Sequence, residues 1–265
     1  MNLALYKREM KGSLKILIIF GSIITLYVSV IISMYDKEMM AMLDQFAQAM
    51  PELMAAMGMK TGETSLLGFM ISYLYGFILL VFPMIFSILR GNGLIAKYVD
   101  NGSMYSLLSS PVKREKIVLT QVLVLISGIF ILVLYSTLLE IIISSIMFPR
   151  ELDIPNLLKV NLGLLFLQLF IGGICFLASC LFQDTKYSIG LGAGLPALMY
   201  VLQMLANVGG NASVVKYFTF FSLFNPNALM INNAWAIVGI IVLLVGAIIL
   251  YAVSSIIFVK KDLSI

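Results

Sequence analysis

Proton transfer, metal binding and nucleophilic attack each need particular side chains, and this 265-residue chain offers few of them: 13 acids, two cysteines and no histidine. Histidine is the side chain most able to move a proton near neutrality and the commonest metal ligand. Its absence removes a Ser-His pair and a zinc-protease centre together. No G-x-x-x-x-G-K-[ST] stretch occurs, so the chain lacks the phosphate-cradling loop for holding and hydrolysing a nucleotide by that route. Cys175 and Cys180 lie five residues apart on one predicted helix. A disulfide there would strain the backbone, so both are read as free apolar fillers. The expectation is a non-catalytic chain with no metal and no cofactor of its own.

Glu140 is the one ionisable residue well inside a long apolar run. A charge at the bilayer centre costs roughly 2.5–3.5 kcal/mol on insertion scales, which makes such a residue a functional candidate. A helix entering at Ile117 has risen about 35 Å by Glu140, which brings it toward the outer headgroups. Two readings follow: a gate or inter-helix hydrogen bond, or a carboxylate at the membrane interface. Phe220, Phe221 and Phe224 form an aromatic run before the last apolar stretch and are candidates for the same gate or pathway. Gln121, Asn161, Gln168 and Gln203 are neutral polar groups on apolar runs, suited to lining a path or to joining helices. Gly190 and Gly194 make a G-x-x-x-G step, and Pro83 and Pro196 predict kinks.

The elements that must carry these residues follow from composition. Apolar residues make up 61% of the chain and charged residues 11%, whereas a soluble domain is about a quarter charged. A helix needs about 20 apolar residues to cross a bilayer. Six runs qualify: Leu14–Met34, Leu66–Leu89, Ile117–Met147, Leu157–Phe182, Ser188–Val208 and Ala234–Val259. The predicted fold is all-α and polytopic, a single membrane domain over residues 1–265. The first run follows a basic leader but is too long for a signal core and lacks small residues at a cleavage site, so it is kept as a span.

With the N-terminus inside, 12 of the 17 basic residues fall on cytoplasmic segments and five outside. The positive-inside rule then puts both termini in the cytoplasm. The net charge of +4 matches topology and anionic lipid, and no clustered basic face for nucleic acid exists.

Four connections carry information. Met1–Gly12 mixes Leu3, Leu5, Tyr6 and Met10 with Lys7, Arg8, Glu9 and Lys11, which suits an interfacial helix or a basic flank that sets topology. Outside, Tyr35–Ser65 spaces Leu43, Phe46, Ala47, Met50, Met54 and Met57 at three- and four-residue steps, predicting an amphipathic helix that Pro51 kinks or restarts. Its methionines suit a greasy cargo, or packing on the protein itself. The cytoplasmic loop Arg90–Lys116 interleaves Leu94, Tyr98, Leu107 and Leu108 with charge and turn residues, a composition suited to docking a partner. Ala206–Asn233 is too apolar for a free loop and too interrupted to span, and predicts a re-entrant or interfacial helical hairpin.

Laid out this way, the chain resembles the ABC-2 type transporter permeases, the membrane subunits of bacterial ABC exporters. Leu5-Tyr6-Lys7-Arg8-Glu9-Met10-Lys11 is similar to the family's elbow helix, with Glu9 at the usual acidic position. Asp100-Asn101-Gly102-Ser103, then Leu107-Leu108-Ser109-Ser110-Pro111-Val112-Lys113-Arg114, is similar to the pattern acid, Gly-Thr, Leu-Leu-x-x-Pro-hydrophobic-x-Arg. Asp100 and Ser103 replace the family's Glu and Thr. The aromatic segment before the last span and Phe258–Leu263 also look like the family.

The resemblance implies two six-helix subunits, a homodimer or a pair of paralogues. Each docks a separate ABC ATPase, which holds the ATP and Mg, through a cytoplasmic coupling helix in Arg90–Lys116. The implied coupling residues are Glu9, Leu94, Tyr98, Asp100, Gly102, Ser103, Leu107, Leu108, Pro111 and Arg114. The expected function is an exporter permease in a bacterial cell membrane, moving amphipathic or hydrophobic cargo such as a peptide, lipid or drug. Sodium and polysaccharide export occur in the same family. A non-transporting scaffold or immunity protein would share the hydropathy.

Overall fold

The computed structural model describes residues 1–36, 42–43, 45–46, 48–59, 65–109 and 112–261. The helices are α1 (Leu3–Ser33), α2 (Pro51–Ala56), α3 (Leu66–Leu74), α4 (Ile78–Leu94), α5 (Ala96–Asp100), α6 (Met104–Leu108), α7 (Arg114–Met147), α8 (Ile154–Leu181), α9 (Thr185–Val208), α10 (Pro226–Met230) and α11 (Ala234–Lys260). Two 3-10 segments, Gly210–Phe218 and Phe220–Leu223, lie between α9 and α10, and no strand occurs among the described residues. Six helical stretches are long and apolar enough to cross a membrane: α1, α4 continued through α5, α7, α8, α9 and α11. The chain is an all-α, multi-pass membrane protein.

Polar caps set where several of these helices begin. Asn2, Ser65, Asp153, Asp184 and Asn233 each accept a backbone N–H of the following turn, at 2.7–3.2 Å. Each satisfies a donor that would otherwise be orphaned at a helix start. Side chains such as Ile18, Leu26, Leu134, Ile142, Ile248 and Ile256 point away from the bundle. Lipid is as apolar as these residues, so helix association rests on close packing and on hydrogen bonds between helices.

Helix α8 is the centre of the bundle, packed against α4, α7, α9 and α11. Two prolines on its neighbours explain two of its polar side chains. Pro83 in α4 has no N–H to donate to the Leu79 carbonyl four residues back. Gln168 of α8 donates its Nε2 there at 3.3 Å and to the Leu80 carbonyl at 2.9 Å. Pro196 in α9 frees the Gly192 carbonyl in the same way, and Cys175 Sγ donates to it at 3.1 Å. Cys175 and Cys180 are free and buried, but Cys175 does more than fill space. Replacing Gln168 with leucine should destabilise the fold by about 1–2 kcal/mol, the range for an inter-helix hydrogen bond in a membrane. Pro83→Ala in the same chain should recover much of that loss by restoring the internal donor. Equal losses with and without Pro83, read from thermal unfolding in detergent, would refute the account.

Several expectations change. The N-terminal segment is not a separate elbow: Leu3–Ser33 is one uninterrupted helix of 31 residues, about 46 Å at helical rise, so its first turns extend past the apolar layer. No proline interrupts it, and Ser13 Oγ bonds the Glu9 carbonyl at 2.9 Å across the expected junction. The second apolar run is not one span. It breaks at Tyr75–Phe77 into α3, whose nine residues are all buried, and α4. At the break a Cβ on Gly76 would run into the Met57 carbonyl, so the chain passes there only with glycine, and Tyr200 Oη donates to the Gly76 carbonyl at 2.9 Å.

In place of the expected single coupling helix there are two five-residue helices, α5 and α6, folded about Gly102 at φ 71°. A positive φ is strained for any residue with a Cβ. The expected helical hairpin is instead the two 3-10 segments followed by α10. On the long connection, α2 starts at Pro51 and buries Met54 against Phe69 and Tyr73, while Phe46 and Met50 are exposed. Ala47 of the predicted stripe, and Pro111, lie outside the described residues.

Candidate functional site

One end of the bundle gathers the first turns of α1, the loop from Arg90 to Arg114, the α8–α9 turn and the end of α11. This end carries the 12 basic residues counted above. Glu9 is buried there. Arg90 at the end of α4 donates Nη2 to Glu9 Oε2 at 3.2 Å and to the Glu9 carbonyl at 3.1 Å. Tyr98 of α5 donates its hydroxyl to Glu9 Oε1. Both carboxylate oxygens are therefore engaged, one by a cation and one by a phenol. Asn2 N–H donates to Thr120 Oγ1 at 2.8 Å, and Tyr6 Oη to Ser127 Oγ at 2.9 Å, which hold the start of α1 along α7.

The loop itself is half core and half surface. Leu94, Ile95, Ala96 and Met104 are buried, and Tyr98 and Leu107 pack on the core. At the α4–α5 break, Ser179 Oγ of α8 accepts the Ala96 N–H at 2.8 Å. Asn92 of α4 and Ser188 of α9 bond each other beside it. Asn101 Oδ1 accepts the Ser103 N–H at 3.1 Å and closes the turn around Gly102, while Ser103 Oγ reaches the Tyr98 carbonyl at 3.5 Å. Lys97, Asp100, Asn101, Tyr105 and Ser106 face outward.

Arg114 does not join Asp100. Its Nη1 donates to the Lys261 carbonyl at 3.0 Å. Lys261 Nζ in turn donates to the Cys180 and Leu181 carbonyls at 3.2 and 2.6 Å. A cation at these last carbonyls of α8 meets the negative end of the helix dipole. Burial pulls the Lys261 ammonium below its ordinary pKa.

At the other end a cavity of about 430 Å³ opens between the Tyr75–Phe77 break, α9 and the aromatic segment. Tyr75, Tyr200, Phe221 and Phe224 supply rings, and Gln203, Asn207 and Asn225 supply amides. Phe221 stacks on Phe220 with centroids 4.7 Å apart and meets Tyr200 edge-on at 5.4 Å. Phe220 turns away from the cavity to Phe170, 5.2 Å between centroids.

Behind the cavity wall lies Glu140, fully buried within the bundle. Its Oε2 accepts from Tyr75 Oη at 3.0 Å and from Asn161 Nδ2 at 2.8 Å. The inter-helix hydrogen bond of the first reading is present. Phe221, Phe224 and, through Tyr75, Glu140 are thus brought around one cavity, Phe220 turns from it, and Glu9, Leu94, Tyr98, Asp100, Gly102, Ser103, Leu107 and Arg114 gather at the basic end.

No protein-family model matches this chain, and it has no significant match among curated proteins or solved structures.

Arg90, Asn92, Ser179, Ser188 and Tyr75 were not singled out by sequence reasoning. The available signal was that a polar group in an apolar run must find a partner. That signal names the need and not the partner, because Arg90 lies 81 residues from Glu9.

Proposed function

We propose that this chain is the permease subunit of an ATP-driven exporter of the ABC-2 type, with its basic end in the cytoplasm of a bacterial cell. The observation that carries this reading is the Glu9–Arg90–Tyr98 cluster, which joins the start of α1 to the loop of α5 and α6. An ATPase closing beneath such a loop needs a stiff route into the spans. A charge-assisted bond held away from water is stiff, and a solvated loop is not. The outward face, with Lys97, Asp100 and Tyr105, is the surface left for a partner that carries ATP and Mg.

A second permease subunit, identical or paralogous, is supported by α9. That helix buries 22% of its apolar window, against 67% for α8, and its Gly190 and Gly194 meet nothing within 4 Å. The open G-x-x-x-G step would let another backbone approach closely. Amphipathic cargo is supported by the cavity, whose walls mix rings with amides, and by spans with little charge.

Affinity purification of the tagged chain from its native membrane should recover an ATPase with a phosphate-binding loop, in about equal amount. Amphipathic peptides should stimulate its hydrolysis in reconstituted vesicles. Recovery of the chain with no ATPase overturns the exporter reading and favours a scaffold or immunity role.

A further inference from the structure

Two acids are buried among the described residues, and they are treated differently. Glu9 has a guanidinium at 3.2 Å. Glu140 has no cationic partner among the described residues, although it is as deeply buried as any residue in the protein. Both donors that reach it, Tyr75 and Asn161, bond the same oxygen, Oε2. That leaves Glu140 Oε1 without a hydrogen bond, and Asn161 Oδ1 is also unbonded. One N–H of the Asn161 amide is committed to the carboxylate, and each side chain keeps an unbonded oxygen acceptor. A buried charge without a partner is costly. Two unbonded oxygens on neighbouring helices, one of them from a carboxyl group, are an arrangement that a hard cation completes.

We propose that Glu140 and Asn161 form a binding site for a monovalent alkali cation, entered from the cavity past Tyr75. Three further observations agree. One carboxylate balances one positive charge. A divalent ion would leave a net charge in the membrane, and calcium takes about six to eight oxygens; among the described residues no three acidic, histidine or cysteine side chains gather. Next, α3 is a buried half-helix that ends at Leu74, immediately before Tyr75. The C-terminal end of a half-helix is electronegative and in membrane proteins attracts cations. Finally, Tyr75 lines the cavity and bonds the carboxylate as well, so a swing of its ring connects the two. This site does not depend on the exporter reading.

The test is thermal unfolding of the full chain in detergent, in choline, lithium, sodium or potassium chloride at equal ionic strength. At least one alkali cation should raise Tm over choline, by roughly 5 °C or more at a hundredfold excess over its dissociation constant. Glu140→Gln should abolish the rise, and sodium-22 or rubidium-86 binding should approach one ion per chain. Equal Tm in all four salts, or an undiminished rise in Glu140→Gln, overturns the site. So does a Tm that follows pH but not the cation and loses that dependence in Glu140→Gln, which would assign a protonated carboxyl instead. If Glu140→Gln does not fold, Asn161→Ala serves. It keeps the carboxylate and should raise the half-stabilising cation concentration at least tenfold, and an unchanged value overturns the proposal.

Discussion

Arg90→Ala is expected to destabilise the protein by roughly 3–5 kcal/mol, the range for removing one partner of a buried ion pair. The cause is mostly what is left behind. Glu9 would keep Tyr98 on one oxygen and have no counter-charge for the other. The pair is only slightly exposed, with side chains 12% and 8% accessible, so water does little to soften the loss. Glu9→Gln should cost less than Arg90→Ala, because the amide oxygen can still accept from Arg90 while its NH2 donates to the Tyr98 hydroxyl oxygen. The double variant Glu9→Gln/Arg90→Ala should then be more stable than Arg90→Ala alone, since the stranded charge is gone. Arg90→Lys should recover only part of the loss, because one Nη2 now serves both the Glu9 carbonyl and its carboxylate. Chemical or thermal unfolding in detergent measures all four. A loss below about 1 kcal/mol for Arg90→Ala would mean that the cluster is not a stiff link, and the route proposed for coupling would fall with it.

Charge reversal at two positions that sequence reasoning treated alike should give opposite results. Asp100 faces outward and makes no hydrogen bond that holds the fold. Asp100→Lys should therefore leave stability within about 0.5 kcal/mol, as surface changes do. With the partner ATPase present it should abolish cargo transport while ATP hydrolysis continues. Arg114→Glu should act on stability first. It removes the bond to the Lys261 carbonyl, worth about 1.5–3 kcal/mol for a charged donor. It also sets a carboxylate near that carbonyl, and the end of α11 should loosen from the start of α7. Transport and hydrolysis measured in the same vesicles, beside an unfolding curve for each variant, separate the two cases. Coupled transport at the wild-type rate in Asp100→Lys would remove the loop from the mechanism.

These contrasts show where sequence reasoning reached and where it stopped. Glu9 and Tyr98 could be picked out from the resemblance their segments carry, and the structure places both in one cluster. Arg90 could not. It read as one basic residue among 12 on the same segments, and only the fold brings it to Glu9. Leu94 and Leu107 read as docking residues because they sit in a polar loop, yet they pack into their own bundle. An apolar residue in a short loop has two places to go, and spacing does not choose between them. Glu140 was noticed for its charge, and helix rise alone left a gate, an inter-helix bond and an interfacial carboxylate all open. Its burial follows from α3 and α8 closing over it, which no count along α7 can reveal.

What the sequence by itself determined is the part governed by local rules: six stretches long enough to span, the basic end, and the lack of a histidine-based or phosphate-loop centre. Hydropathy over about 20 residues and hydrogen bonds from residue i to i+4 decide those features, and both can be read along the chain. Tertiary structure alone decided the break at Tyr75–Phe77, the merging of the N-terminal segment into α1, and every polar pair between spans. Glu140 meets Tyr75 across 65 residues, Arg90 meets Glu9 across 81, and Gln168 meets the carbonyl freed by Pro83 from 89 residues away. In a membrane the apolar faces of helices differ little in their attraction for one another. Register and neighbours are therefore chosen by close packing and by the few polar groups that must be satisfied, and those partners become visible only when the helices are together.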